Sequence, residues 1–169
     1  MKRALLVIDM QNDYLWDKRM NKFSYDTKVL VENVNKTIDK YKNDSDIIYI
    51  SHLIQNIVTN RLLFGFSIEG SEGAKLYNKL NIVSDLKFDK YFHNAYTSKE
   101  FKEYMNSKNY NEVIVCGLDL CGCVYYTAMG ALKYVEDVSI VSESTGCRYS
   151  KKKKDNYIRN LNKAGIKLI

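Results

Sequence analysis

The chain has 169 residues, 46% hydrophobic and 27% charged, which is the balance of one globular domain with a sizeable core. Its net charge of +6 comes mostly from lysines scattered along the chain, which argues against nucleic-acid binding. No apolar run approaches the roughly 20 residues of a membrane span. We expect one domain over residues 1–169, in the cytoplasm, with neither a nucleic-acid nor a membrane partner.

Six short apolar or β-branched runs predict strands that are buried on both faces. In chain order they are 4–8, 46–50, 86–88, 113–116, 138–141 and 166–169. Helical periodicity appears between most of them, over 27–41, 98–107, 123–135 and 152–164. The alternation predicts an α/β protein in which helices cover a parallel sheet.

The segment 51–85 interrupts this alternation. It contains several glycines and aromatic residues and no strand pattern, with a short helix predicted over 74–80. Long irregular excursions in compact domains tend to be lids or binding loops. We expect this segment to shape the substrate pocket.

Three side chains of different chemistry lie near the ends of predicted strands. Asp9 follows the first strand, Lys90 closely follows the third, and Cys123 opens the helix after the fourth. Each alone has an ordinary explanation, since Asp often caps turns, Lys is usually solvated and Cys is often buried. Ligands of open parallel sheets bind beyond the carboxyl ends of the strands, so the three together predict an acyl-transfer site.

The environment expected for Cys123 favours a nucleophilic thiolate. A helix N-terminus and the ammonium of Lys90 would stabilise the negative sulfur. Asp9 could take the thiol proton and return it to a departing amine, while backbone N–H groups of the turn 117–123 bind the oxyanion. Because these side chains lie at element ends rather than in the core, their substitution is expected to leave the fold intact and to change the thermal midpoint only modestly.

Three motifs resemble those of isochorismatase-like cysteine hydrolases. They are VIDMQNDYL, LKFDKYFHNAYTS and VIVCGLDLCGCVYYTAMGAL, the last including the pair Thr127 and Ala128. Their order and spacing match this family over essentially the whole chain. Three separated motifs in register are more specific than any one of them.

The resemblance implies a three-layer α/β/α fold with a six-stranded parallel sheet in the order 3-2-1-4-5-6, and a catalytic group of Asp9, Lys90 and Cys123. Strand three then lies about 10 Å from strand one, so the long Lys90 side chain must reach inward. A cis peptide between Leu118 and Asp119, and an oxyanion hole made by the N–H groups of Asp119 and Cys123, are also implied. The family further suggests a homodimer or homotetramer.

The metal pattern of the nicotinamidase branch is missing. Where those enzymes carry Asp-x-His and further histidines, this chain has Ile50-Ser51-His52, and its other histidine is His93. A stable metal site needs three or more ligand atoms from the protein. We therefore expect neither a metal nor another cofactor.

Aromatic, histidine and leucine side chains near the strand ends are the candidates for the substrate pocket, although core packing explains aromatic residues equally well. They are Tyr14, Trp16, His52, Phe64, Tyr91 and Leu118.

The leading functional hypothesis is hydrolysis of a C–N bond in a small amide or ureido compound through a thioester on Cys123. Isochorismate-type ether hydrolysis is an alternative, which Cys123 disfavours because that branch uses no cysteine nucleophile. A non-enzymatic binding or scaffold protein is another. A redox or metal motif built on Cys121 and Cys123 is disfavoured, because one intervening residue is too few for the usual spacing.

Overall fold

The structure is a computed structural model that describes residues 2–169. Its strands are β1 Arg3–Ile8, β2 Asp46–His52, β3 Lys87–Lys90, β4 Glu112–Gly117, β5 Asp137–Thr145 and β6 Lys167–Leu168. They form one sheet in the order β3-β2-β1-β4-β5-β6, with every pair parallel. This confirms the predicted fold class and strand order.

The helices are α1 Asn12–Leu15, α2 Thr27–Tyr41, α3 Val58–Leu63, α4 Lys99–Lys108, α5 Tyr125–Ala131 and α6 Lys151–Lys163. Three of the four long predicted helices are found within a residue of their expected bounds. The fourth, predicted over 123–135, is divided into a π-type turn at Leu120–Val124 and the shorter α5. No helix in the described part of the chain is long and apolar enough to cross a membrane.

Both faces of the sheet are covered. In β1, Ala4, Leu6 and Ile8 join one apolar cluster, and Leu5 and Val7 join the other. Each cluster includes side chains from helices, with α4 and α5 contributing to the first and α2 to the second. Burial on both faces explains why this strand reads as an uninterrupted apolar run.

The carboxyl ends of β1 and β4 approach each other very closely at the centre of the sheet. Gly117 pairs with Ile8 and has φ +106°, and a Cβ at this position would overlap the backbone of Ile8. Only glycine fits this approach without strain. The strand order diverges here, so a crevice opens between the segments that follow β1 and β4.

After β2 ends at His52, residues 53–85 pack over this crevice and contain α3 but no strand. An isolated bridge between Ile54 and Ile68 closes it, and another joins Leu76 to Gln11. The helix predicted over 74–80 is wrong: a single 3₁₀ turn at Glu72–Ala74 is present instead. The backbone of this stretch bonds across to other segments, such as Asn12 N–H to Lys75 O and Tyr77 N–H to Met10 O, which replaces the helical pattern.

Candidate active site

Asp9 lies directly after β1 in a left-handed backbone conformation, with φ +52°. Its N–H donates to Ile50 O at 2.8 Å, which fastens this turn to β2. The carboxylate is 3% exposed and its Oδ2 accepts a hydrogen bond from Lys90. Its Oδ1 is buried and has no hydrogen-bond partner among residues 2–169. Backbone strain and an unused buried oxygen are both common at functional sites.

Lys90 is the last residue of β3, two strands away from β1. Its side chain is fully buried and extends inward until Nζ lies 3.0 Å from Asp9 Oδ2, so the long side chain spans the distance. Burial by itself lowers the pKa of Lys90, but the charge of Asp9 opposes this and the pKa is raised. Lys90 is therefore cationic at neutral pH.

Cys123 lies in the π-type turn, two residues before α5, with its side chain beside Asp9 and Lys90. Burial raises the pKa of its thiol well above the ordinary value, the charge of Asp9 raises it further, and Lys90 only partly opposes them. Burial and Asp9 thus favour the protonated thiol over the resting thiolate expected from the sequence. Asp9 neutralises Lys90, so little net positive charge remains to stabilise a negative sulfur.

The turn before Cys123 is held by the side chain of Asp119. The peptide between Leu118 and Asp119 is cis, in agreement with the implied position. Asp119 Oδ1 accepts the N–H of Cys121 at 2.9 Å, and Oδ2 accepts the N–H of Arg148 at 2.8 Å. Both oxygens thus have a structural role. The N–H of Asp119 itself donates no hydrogen bond within the described chain.

A second polar anchor supports the segment after Lys90. The Thr127 hydroxyl in α5 accepts the N–H of Ala95 at 3.0 Å and donates to His93 O at 3.3 Å. Thr127 is fully buried. The Thr-Ala pair of the third motif therefore joins the nucleophile helix to the lysine segment, which explains its place in the motif.

A cavity of about 190 Å³ opens over the catalytic candidates. Its lining combines aromatic and ionisable side chains: Asp9, Tyr14, Phe23, Tyr25, His52, Ile54, Phe64, Phe66, His93, Leu118, Asp119, Gly122, Cys123 and Arg148. Lys90 does not line it and lies behind Asp9.

Four of the six pocket residues proposed from the sequence line this cavity, namely Tyr14, His52, Phe64 and Leu118. The other two lie elsewhere. Trp16 ends α1 and packs under the ammonium of Lys18. Tyr91 is 45% exposed and donates to Glu69 at 3.0 Å.

His52 and Tyr14 form a polar part of the cavity wall. Gln11 fixes the end of β2, because its side-chain amide accepts from His52 N–H at 2.8 Å and donates to His52 O at 3.0 Å. The Tyr14 hydroxyl lies 3.4 Å from His52 Nδ1 and accepts from the Ser67 hydroxyl at 2.8 Å. Burial lowers the pKa of His52, so it is neutral at pH 7.

Sequence reasoning missed Arg148, the cation that lines the cavity. Its guanidinium donates to the Tyr149 hydroxyl at 2.9 Å and lies over the ring of Phe23. Burial lowers its pKa, but the interaction with Tyr149 and the charge of Asp119 outweigh this and raise it. A single arginine after β5 carries no motif, so only its position in space reveals it.

The cavity residues do not fit a histidine-based metal site. His52 and His93 have ring centroids 6.3 Å apart. Within the described residues, neither belongs to a group of three or more potential ligands close enough to share an ion. The position two residues before His52 is Ile50, which has no donor atom.

The family model of the isochorismatase domain matches residues 3–169. The isochorismatase family protein YddQ of Bacillus subtilis is 20% identical over 146 residues, covering 85% of this chain and 77% of that protein. A pyrazinamidase of Pyrococcus horikoshii, solved in complex with zinc, is 19% identical with a TM-score of 0.84, over 100% of this chain and 99% of that one.

An N-carbamoylsarcosine amidase of Thermoplasma acidophilum is 18% identical with a TM-score of 0.79, over 99% of this chain and 95% of that one. Both structural likenesses support the fold. The match of the family model covers nearly the entire sequence and includes the elements that carry Asp9, Lys90 and Cys123. The chain belongs to the isochorismatase family of hydrolases.

Proposed function

We propose that this protein hydrolyses a C–N bond of a small amide or ureido compound, with Cys123 as nucleophile, Asp9 as general base and acid, and Lys90 as the cation that stabilises the transient thiolate. The observation that carries this proposal is the buried Asp9 carboxylate near the Cys123 thiol, because Lys90 holds its Oδ2 while its Oδ1 has no hydrogen-bond partner within residues 2–169. One oxygen is anchored, so the other is oriented to accept a proton.

The resting state contains a thiol rather than a thiolate, which determines the first step. The Cys123 proton moves to Asp9 Oδ1 as the sulfur attacks the substrate carbonyl, so the nucleophile is generated only when a substrate is present. Once Asp9 is neutral, the charge of Lys90 is no longer compensated and stabilises the developing negative charge. The N–H groups of Asp119 and Cys123 are the proposed donors to the oxyanion.

Collapse of the tetrahedral intermediate breaks the C–N bond. Asp9 returns its proton to the departing nitrogen, and the acyl group remains on Cys123 as a thioester. A water molecule then gives a proton to Asp9 and attacks the thioester carbonyl. The second collapse expels the sulfur, which recovers the proton from Asp9, and releases an acid.

Cavity size and charge narrow the substrate class. A volume of about 190 Å³ is below the roughly 300–1,000 Å³ of pockets for drug-sized ligands, so the substrate is small. Arg148 donates to Tyr149 and, within the described chain, its guanidinium has no carboxylate partner in hydrogen-bond contact. We propose that it binds a carboxylate of the substrate, because a guanidinium pairs well with that group. Similarity in fold to pyrazinamidase and N-carbamoylsarcosine amidase supports an amide or ureido group as the target.

We also propose that the protein forms a homodimer or homotetramer. Helix α3 leaves Val58, Leu62 and Leu63 71%, 82% and 77% exposed, next to Phe64 at the cavity mouth. Contiguous apolar side chains of this size are characteristic of interaction surfaces. A second copy that covers α3 would also narrow the entrance to the site.

The proposal is tested by release of ammonia from a panel of small amides and ureido compounds, half with a carboxylate and half neutral. Turnover by the wild type, none by Cys123→Ala, and a covalent acyl adduct on Cys123 in intact-protein mass spectra are expected. The activity should survive dialysis against a chelator. Turnover retained by Cys123→Ala would refute the nucleophile, and specific binding without turnover across the panel would favour a non-enzymatic role.

A further inference from the structure

A second pair of thiols lies beside the proposed nucleophile. Cys121 Sγ and Cys147 Sγ are 3.5 Å apart. Cys121 belongs to the π-type turn that contains Cys123, and Cys147 belongs to the segment after β5. The two residues are distant in sequence, so only the fold brings them together.

Hydrogen bonds hold these two segments together on both sides of the sulfur pair. The N–H of Leu120 donates to Gly146 O at 2.9 Å. The N–H of Arg148 donates to Asp119 Oδ2 at 2.8 Å. Disulfides require sulfurs about 2.05 Å apart. The two sulfurs must therefore move about 1.5 Å closer, and the hydrogen bonds on both sides hold their segments together.

We propose that Cys121 and Cys147 form a reversible disulfide that restrains the nucleophile turn and lowers the hydrolytic activity. The oxidant class is a low-molecular-weight disulfide such as glutathione disulfide. A thiolate of Cys147 attacks it, forms a mixed disulfide and releases one glutathione thiolate. Cys121 loses its proton, attacks the Cys147 sulfur and expels the second glutathione. Two protein thiols are oxidised and one glutathione disulfide is reduced to two glutathione molecules.

Accessibility determines which sulfur reacts first. Cys147 is half-buried, whereas Cys121 is only 4% exposed. Burial, together with the hydrogen bond to Cys147, raises the pKa of Cys121 to about 12. Oxidation should therefore start at Cys147 and become faster as the pH rises, because the second step needs the Cys121 thiolate.

Other uses of this cluster are less well supported. A carboxylate oxygen of Asp119 and the two sulfurs lie within 4.8 Å of one another, but both Asp119 oxygens already accept the N–H groups of Cys121 and Arg148. A metal would have to compete with both bonds for its third protein ligand. A bond between Cys121 and Cys123 would place a disulfide across a single residue, whereas Cys147 already contacts Cys121.

Formation of the disulfide is tested without knowledge of the substrate. The full-length native chain is equilibrated with graded ratios of reduced and oxidised glutathione, trapped with N-ethylmaleimide and digested without reduction. Mass spectrometry should find the Cys121–Cys147 cross-linked peptide, with Cys116 and Cys123 alkylated, and dithiothreitol should abolish it. Alkylation of all four thiols at every ratio, a stable mixed disulfide alone, or a Cys121–Cys123 bond would overturn the proposal.

The effect on activity rests on the proposed hydrolase function. A displacement on the order of 1 Å at a reacting group costs up to about 100-fold in rate, so we expect the oxidised protein to lose about 10- to 100-fold in turnover and to regain it with dithiothreitol. Cys147→Ser should keep the reduced activity and become insensitive to glutathione disulfide. Full turnover by the cross-linked protein would refute the proposal that the disulfide lowers the activity. The cross-link assay does not require hydrolysis of an amide. Failure of the disulfide proposal can therefore be distinguished from failure of the proposed hydrolase function.

Discussion

Lys90 Nζ lies 3.0 Å from Asp9 Oδ2, and both side chains are withdrawn from solvent. The pair joins the end of β3 to the end of β1 across the intervening β2. It anchors one oxygen of Asp9, whereas the other has no hydrogen-bond partner in the described part of the chain. Structural and proposed catalytic roles thus coincide in one ion pair.

The burial of this pair changes the expected stability of its variants. The sequence suggested that residues at element ends could be replaced at little cost, but removal of one partner of a buried pair costs about 3–5 kcal/mol. Asp9→Asn and Lys90→Met should each lower the free energy of unfolding by that amount in urea titrations. The double variant should lose less than either single one. Lys87→Met, on the exposed side of β3, is the matched control and should change little.

Asp9, Lys90 and Cys123 should act as one unit in turnover. Asp9→Asn, Lys90→Met and Cys123→Ala should each reduce kcat by at least about 1,000-fold, and a second substitution should add little because the remaining groups have no separate function. Initial rates under conditions where each variant is folded provide the test. Near-normal turnover in Lys90→Met, together with an inactive Cys123→Ala, would show that the lysine has no catalytic role.

The pKa of Cys123 predicts an unusual pH dependence of its alkylation. The raised pKa means that little thiolate exists at neutral pH, so modification by iodoacetamide should be slow and should still accelerate above pH 9. Asp9→Asn removes the charge that raises this pKa and leaves Lys90 uncompensated. Alkylation at pH 7 should then become faster although turnover is lost. A slower reaction in Asp9→Asn would contradict the assignment of Asp9, and peptide mapping identifies the modified thiol.

Arg148 should determine the preference for anionic substrates. Loss of one charge-assisted interaction costs about 1.5–3 kcal/mol, so Arg148→Gln should raise KM for amides with a carboxylate about 10- to 100-fold. Neutral amides should be affected much less. Arg159→Gln, on the exposed face of α6, is the control. Equal changes for both substrate groups would argue that Arg148 only supports the cavity wall.

The exposed apolar side chains of α3 should control assembly. Leu62→Asp combined with Leu63→Asp should shift the protein to the monomer in light scattering coupled to gel filtration, because two charges cannot be buried cheaply in an apolar contact. Lys99→Asp, which changes charge on an exposed face of α4, is the control. An unchanged mass would place the subunit contact elsewhere.

Much of this molecule follows from local sequence patterns. Short β-branched runs identify the sheet because strands buried on both faces need continuous apolar side chains. The three motifs point to Asp9, Lys90 and Cys123 as catalytic candidates because their order and spacing resemble those of the family. The local structure of segment 51–85 does not follow from such patterns. Its turns are stabilised by hydrogen bonds to distant residues, which leave no periodicity in the sequence.

The pKa of Cys123 and the contacts between residues distant in sequence were determined by the tertiary structure alone. Burial desolvates Cys123 and the charge of Asp9 adds to this, which raises the pKa of the thiol although the expected helix N-terminus and ammonium predicted a thiolate. Arg148 enters the cavity and Cys147 reaches Cys121 only because β5 returns beside β4. Sequence patterns report which residues share an element, whereas pKa values and contacts between distant residues depend on distances and solvent access that exist only after the chain has folded.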